Sequence, residues 1–291
     1  MKRKKTDGLA ARLLTRLILG CYSFALYLAL PLYVLFGLLL SFGSLFQSAM
    51  RRAAAPQPWF VRLGLGRRLH KLPKDALWLH AVSVGEIAAT FIMLPHLRSI
   101  LGGRKIIISC STAGGFAMAQ KRLRELVMQD ERGLVGMLGS QGTRGDAESC
   151  GNHGVRGKIE EGKLFWQGKA MQAGQARCKT KSFADEVFLL YAPLDIGLVV
   201  RRFFRILRPC ALAVAEMEIW PNLFACAAVG REGRGIPIVM YNARMPDKEW
   251  RRYARFKTLF AHVLAPVRLI IAQSAEDASR YCDIGAAIDR I

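Results

Sequence analysis

Residues 211–222 read ALAVAEMEIWPN. An apolar run from Ala211 to Ala215 ends in two carboxylates, Glu216 and Glu218, and then in Trp220, Pro221 and Asn222. The first five residues suit a buried strand of a parallel sheet, where near-continuous apolar runs replace alternation. An unpaired carboxylate is costly to bury. The acids therefore mark the place where the strand leaves the core. Strand alternation would send Glu216 and Glu218 to one face.

The same plan repeats on both sides of this stretch. DALWLHAVSVGEIAATFIMLPHLRSI reads as a strand from Leu77 to Val84, a turn at Gly85, and a helix that begins at Glu86. RKIIISCSTAGGFAMAQKRL gives a strand from Lys105 to Cys110, a small-residue turn and a helix. DIGLVVRRFFRIL is an amphipathic helix, IPIVMYNAR a strand, EWRRYARFKTLFAHVL a basic helix, and RLIIAQSAEDASRYCDIGA a last strand and helix. Alternating strands and helices imply an α/β fold, a parallel sheet covered on both faces. In such sheets ligands bind outside the carboxyl ends of the strands. Glu86, Thr112, Glu216, Asn242 and Ser274 are expected at those ends. Asp195, after the YAPL run, is expected to cap the helix that follows it. His80 is read as a strand residue. Thr112 and Gly114 are read as a turn suited to an anion such as an acceptor phosphate.

The 291 residues carry 43 Lys and Arg against 22 Asp and Glu, a net charge of +21. That excess favours phosphates, nucleic acid or an acidic membrane surface. No nucleic-acid reader motif accompanies it, so a nucleic-acid partner is not expected. Arg201, Arg202, Arg251, Arg252 and Arg255 are candidates to meet lipid phosphates. The seven scattered cysteines include no CxxC pair and argue for a reducing compartment.

Leu17 to Met50 is a run of 34 residues without charge, preceded by Lys2, Arg3, Lys4, Lys5, Arg12 and Arg16. A membrane span needs about 20 apolar residues. The apolar core of a secretory signal is about 7–15 residues, so residues 1–50 read as a transmembrane anchor. Pro31 allows a kink or a re-entrant path. Arginines follow the run as well, from Arg51 onward, so the charge rule for orientation gives little direction.

Residues 133–174 hold eleven glycines and no proline. Collagen-like triplets need proline. Residues of about 131–182 read instead as an insertion without a packed core. Within it, Cys150 and His153 have ligand spacing, but only Cys178 and distant groups could complete a zinc site. No metal is expected.

Four blocks carry a family resemblance: LWLHAVSVGE (77–86), YAPLDIGLVVRRFFRILRP (191–209), AEMEIWPNL (215–223) and IPIVMYNARM (236–245). IIAQSAEDASRYCDIGA (270–286) adds a fifth. Together they resemble the N-terminal half of the transferases of 3-deoxy-D-manno-octulosonic acid (Kdo). The resemblance implies a Rossmann-like domain from a two-domain glycosyltransferase of the GT-B type. The enzyme would move Kdo from CMP-Kdo to a lipid A precursor, on the cytoplasmic face of a bacterial inner membrane. It implies no cofactor. It makes Glu86 the general base and Glu216 an orienting or stabilising group, with Glu218 as its alternate. A sugar hydroxyl is a poor nucleophile until its proton is removed, which is why a carboxylate is needed there. Ser83, Thr112, Gly114, Asn242 and Arg244 are the expected acceptor contacts. Rival roles for the acids are helix capping and pairing with an arginine such as Arg244.

The sequence departs from the family's pattern in three ways. Met217 stands between the acids where threonine is usual. Pro246 and Glu249 stand where serines are usual. The chain stops at Ile291, where family members continue into a donor-binding domain. The expectation is an acceptor half that transfers nothing by itself, or a non-catalytic lipid A-binding module.

Overall fold

The computed structural model describes residues 17–36, 59–65, 67–139, 186–230 and 235–291. Six strands form one parallel sheet: β1 (Leu77–His80), β2 (Ile106–Cys110), β3 (Val187–Tyr191), β4 (Ala211–Ala215), β5 (Ile238–Ala243) and β6 (Val267–Ala272). Their spatial order is β3-β2-β1-β4-β5-β6, and every pairing is parallel. This is the order of a doubly wound Rossmann-type sheet. The central strand β1 is fixed on both sides, with Leu79 opposite Ile108 and Ala213.

Period-two alternation sorts side chains into two cores. Trp78, Ile107 and Val214 face one side, with α5 (Gly197–Leu207) and α6 (Pro221–Val229). Leu79, Ile108 and Ala213 face the other, with α3 (Val84–Leu101) and α4 (Ala113–Gly139). The apolar stripe of α5, Val199, Val200, Phe203, Phe204 and Leu207, is buried. Phe203 and Phe204 meet the Trp78 ring at 6.3 and 5.2 Å. The chain continues through α7 (Asp247–Ala254), α8 (Lys257–Leu264) and α9 (Ala275–Asp283). Near the amino terminus, α1 (Leu17–Phe36) is long and apolar enough to cross a membrane, and α2 (Trp59–Arg62) is a single turn.

Two boundaries differ from expectation. β1 stops at His80, because Ser83 already serves as N-cap of α3. Helix α4 runs on to Gly139, past the point where the insertion was expected to begin. Cys150, His153 and Cys178 lie outside the described residues, as do most of the glycine-rich stretch and the flanks of the apolar run.

Candidate functional site

The sheet reverses its winding between β1 and β4. Outside the carboxyl ends of strands at such a switch point, neighbouring loops part and leave a crevice. The turn after β1 carries Ser83 and Glu86. The turn after β4 carries Glu216 and Glu218. The expected acids thus flank the switch point.

Glu86 is buried. Its Oε2 accepts the Val82 N–H at 2.7 Å and its Oε1 accepts the Ser83 N–H at 3.2 Å. Ser83 Oγ in turn accepts the Glu86 N–H at 3.2 Å. This is a reciprocal capping box, and it satisfies donors that the first turn of α3 would leave orphaned. The helix-capping role is therefore present. A carboxylate has about four lone-pair sites, so the two bonds leave acceptor capacity on both oxygens. Below it, Thr90 Oγ1 lies 2.7 Å from both the Glu86 carbonyl oxygen and the Tyr241 hydroxyl.

Strand alternation does not carry through to Glu216 and Glu218. β4 ends at Ala215, and Glu216 adopts a left-handed conformation with φ of 50°. Its N–H still donates to Tyr241 O at 2.9 Å, and its carbonyl accepts from the Tyr281 hydroxyl at 3.3 Å. Glu218 belongs to the following turn. Its Oε2 accepts the Trp220 indole N–H at 2.7 Å. Burial, and then the negative charge of Glu86, push the Glu216 carboxyl above its ordinary value, while Arg244 works against them. Burial pushes Glu218 up as well; its bond from Trp220 opposes this, and the charges of Glu86 and Glu216 add to it. The neighbouring negative charges thus make Glu216 and Glu218 harder to ionise.

Trp220 also ties the crevice to the core. Trp78 Nε1 donates to Ser109 Oγ at 2.8 Å, Ser109 Oγ lies 2.9 Å from His80 Nδ1, and the His80 ring meets Trp220 edge-on at 4.6 Å. His80 is fully buried, and desolvation, aided by the charge of Arg62, depresses its pKa to about 3. It is a neutral strand residue, as its place in β1 suggests.

The expected acceptor contacts fall at the same end of the sheet. Thr112 caps α4: its Oγ1 accepts the Gly115 N–H and donates to Val82 O, both at 3.0 Å, which joins the turns after β1 and β2. A Cβ on Gly115 would come within 2.9 Å of that hydroxyl. Gly114 is a residue of α4 itself rather than of a separate turn. Asn242 lies inside β5 at φ of 52°, with Oδ1 accepting from Gln273 Nε2 at 2.9 Å. Arg244 is exposed just beyond β5. Asp195 caps a different helix from the expected one. Its Oδ1 accepts the Leu223 N–H at 2.8 Å and its Oδ2 the Asn222 N–H at 3.1 Å, so it caps α6 across space rather than α5 in sequence. Among the described residues, no three His, Cys, Asp or Glu side chains cluster as metal ligands would.

A family model described as 3-deoxy-D-manno-octulosonic-acid transferase (kdotransferase) matches residues 57–132 and 170–291. The chain belongs to that family. The matched blocks contain every expected catalytic and acceptor-contact residue, and the gap between them, which holds Cys150 and His153, falls within the glycine-rich stretch. A 3-deoxy-D-manno-octulosonic acid transferase of Haemophilus influenzae is 34% identical over 112 residues, 38% of this chain and 25% of that protein. One from Bordetella pertussis is 25% identical over 239 residues, 81% of this chain and 42% of that protein. A probable mitochondrial one from Arabidopsis thaliana is 23% identical over 182 residues, 62% of this chain and 26% of that protein. The chain thus spans less than half the length of these Kdo transferases.

Within this Kdo transferase domain, sequence reasoning gave no role to Trp220 or Tyr241. Trp220 stood in the WPN block, yet nothing in a linear reading pairs an indole with the acid two residues before it. Tyr241 reads as a core residue of an apolar strand. Its hydroxyl turns out to bridge toward Glu86 through Thr90, and burial, with Glu86 and Glu216 nearby, raises its pKa.

Proposed function

We propose that this chain is the acceptor-side half of a membrane-attached glycosyltransferase that moves Kdo from CMP-Kdo to a lipid A precursor in lipopolysaccharide synthesis. One observation carries the reading: two acid-bearing turns, after β1 and after β4, face each other across the switch point of a Rossmann-type sheet. An acceptor hydroxyl held in that crevice attacks the anomeric carbon of Kdo. The new glycosidic bond forms as the bond to CMP breaks, and CMP leaves with the electron pair. Glu86 accepts the hydroxyl proton on a lone pair that its cap leaves free. Glu216 orients the reacting groups, with Glu218 as its alternate. Ser83, Thr112, Gly114, Asn242 and Arg244 contact the acceptor. The CMP site is assigned to the part of the relatives that this chain does not span. The same reading puts the domain on the cytoplasmic face of the bacterial inner membrane, where its basic surface suits anionic headgroups.

A non-catalytic lipid A-binding module is the second reading. It is favoured by the commitment of both Glu86 oxygens to backbone donors. The chain joined to a family donor half, with and without Glu86→Gln, separates the two. Glutamine has one acceptor oxygen for two N–H groups, so the variant loses a cap bond and about 1 kcal/mol of stability. Transfer should fall about 10²–10⁴-fold while a melt shows the fold intact and the lipid acceptor still binds. Full activity in the variant overturns Glu86 as the base. Acceptor binding without any transfer by the parent fusion favours the module.

A further inference from the structure

Helix α1 does not stand free of the domain. Leu19, Leu26, Tyr27, Leu30 and Val34 pack against the core that holds α5 and α6. The Tyr22 hydroxyl donates to Asp195 Oδ2 at 2.9 Å, and the Ser23 hydroxyl to Asn222 Oδ1 at 3.0 Å. The Leu198 N–H donates to Tyr27 Oη at 3.1 Å, and the Tyr33 hydroxyl lies within electrostatic reach of the Arg62 guanidinium. These residues recur at helical spacing and form one face, from Leu19 to Val34, about 22 Å long at 1.5 Å per residue. The opposite face is wholly apolar: Leu17, Phe24, Leu28, Leu32, Leu35 and Phe36 are 54–69% exposed.

A helix docked along that length cannot cross a bilayer upright unless its partners enter the hydrocarbon with it. Those partners include Asp195, Asn222 and Arg62, whose burial in lipid is costly. Undocking would forfeit every bond just described. We propose that α1 lies in the plane of the membrane, one face on the domain and the other in the lipid of a single leaflet. Its occupant is a bilayer rather than a protein, because the open face carries hydrocarbon side chains and one thiol, Cys21, with no charge, and the chain is strongly basic, at +21. The neighbouring helix agrees: α5 starts beside Tyr27, and its exposed residues Leu198, Arg201 and Arg205 run from an apolar tip to two cations suited to headgroups. The inference does not depend on the transferase reading, and neither does its test.

The test uses the full chain, with its native cysteines replaced, in vesicles of phosphatidylethanolamine and phosphatidylglycerol. Spin labels are placed singly at Leu17, Phe24, Leu28 and Leu35. An in-plane helix puts all four at one shallow depth, about 5–10 Å below the headgroups. A spanning helix would put Leu17 and Leu35 in opposite leaflets, about 27 Å apart along the axis, and that gradient would overturn the proposal. A second readout uses inverted inner-membrane vesicles and an N-terminal tag. Protease should remove the tag and the domain from the same side; a protected tag beside a digested domain overturns it. The pair Ser23→Cys and Asn222→Cys should cross-link in the membrane, and failure to do so where the pair links in detergent also overturns it.

Discussion

Trp220 donates its indole N–H to Glu218 across 2.7 Å while its ring meets His80. One side chain thus both anchors the turn after β4 in the core and works against the burial that disfavours the ionised form of Glu218. Trp220→Phe keeps the ring and removes the donor. The Glu218 carboxyl, already raised by burial, should titrate higher still, as read by carbon NMR of labelled glutamate. The lost bond should cost about 1–2 kcal/mol in a denaturant melt. A midpoint that stays or falls would contradict the role given to the indole.

Glu218→Gln tests the electrostatic cost of the crowded acids. A carboxyl whose folded pKa is raised favours the fold fully below its unfolded value of 4.5. That contribution is lost as pH rises through the folded value. The amide carries no such loss and can still accept from Trp220. Glu218→Gln should therefore melt above the parent at pH 7 to 8, and the gap should close as pH falls below 4.5. A gap that widens in acid would show the opposite linkage.

Backbone conformation at Glu216 separates structural need from chemical need. Its φ of 50° is strained for a side chain other than glycine. Glu216→Gly should leave stability equal or up to about 1 kcal/mol higher, and Glu216→Val should cost about 1–2 kcal/mol. Activity in the completed enzyme should nonetheless fall with Glu216→Gly. Retained activity would reduce Glu216 to a turn residue.

Asp195→Ala should cost about 2 kcal/mol, because it removes both N-cap bonds of α6. It also removes the Tyr22 bond to α1. Thermal melts in detergent check the first loss. Faster proteolysis around residue 22 checks the second.

The sheet was legible in the sequence because each strand is a short buried apolar run with a turn or cap after it. Ile106–Cys110 and Ala211–Ala215 could hardly be anything else. The acids' position at the carboxyl ends was legible for the same reason, since charge marks where burial stops. Side-chain direction past Ala215 was not. Alternation is a rule for extended backbone, and nothing local announces that Glu216 turns left-handed. The Asp195 cap was also hidden, since its partner helix starts 26 residues later. Only the packing of two adjacent loops brings them together. The docked face of α1 was masked by uniform hydropathy, in which tyrosine and serine count for little.

The sheet order has a further consequence for length variation. β3 is an edge strand, two places from the switch point, and the segment between α4 and β3 enters the sheet there. Residues added to that connection join the sheet only at its periphery. Each doubling of a loop costs only about 0.6 kcal/mol in closure entropy. The pairing of β1 with β4, which sets how far Glu86 stands from Glu216, does not depend on that segment. A family built on this frame can gain or shed tens of residues ahead of β3 with its reaction geometry undisturbed, whereas one residue inserted between Ala215 and Trp220 would shift Glu218 directly.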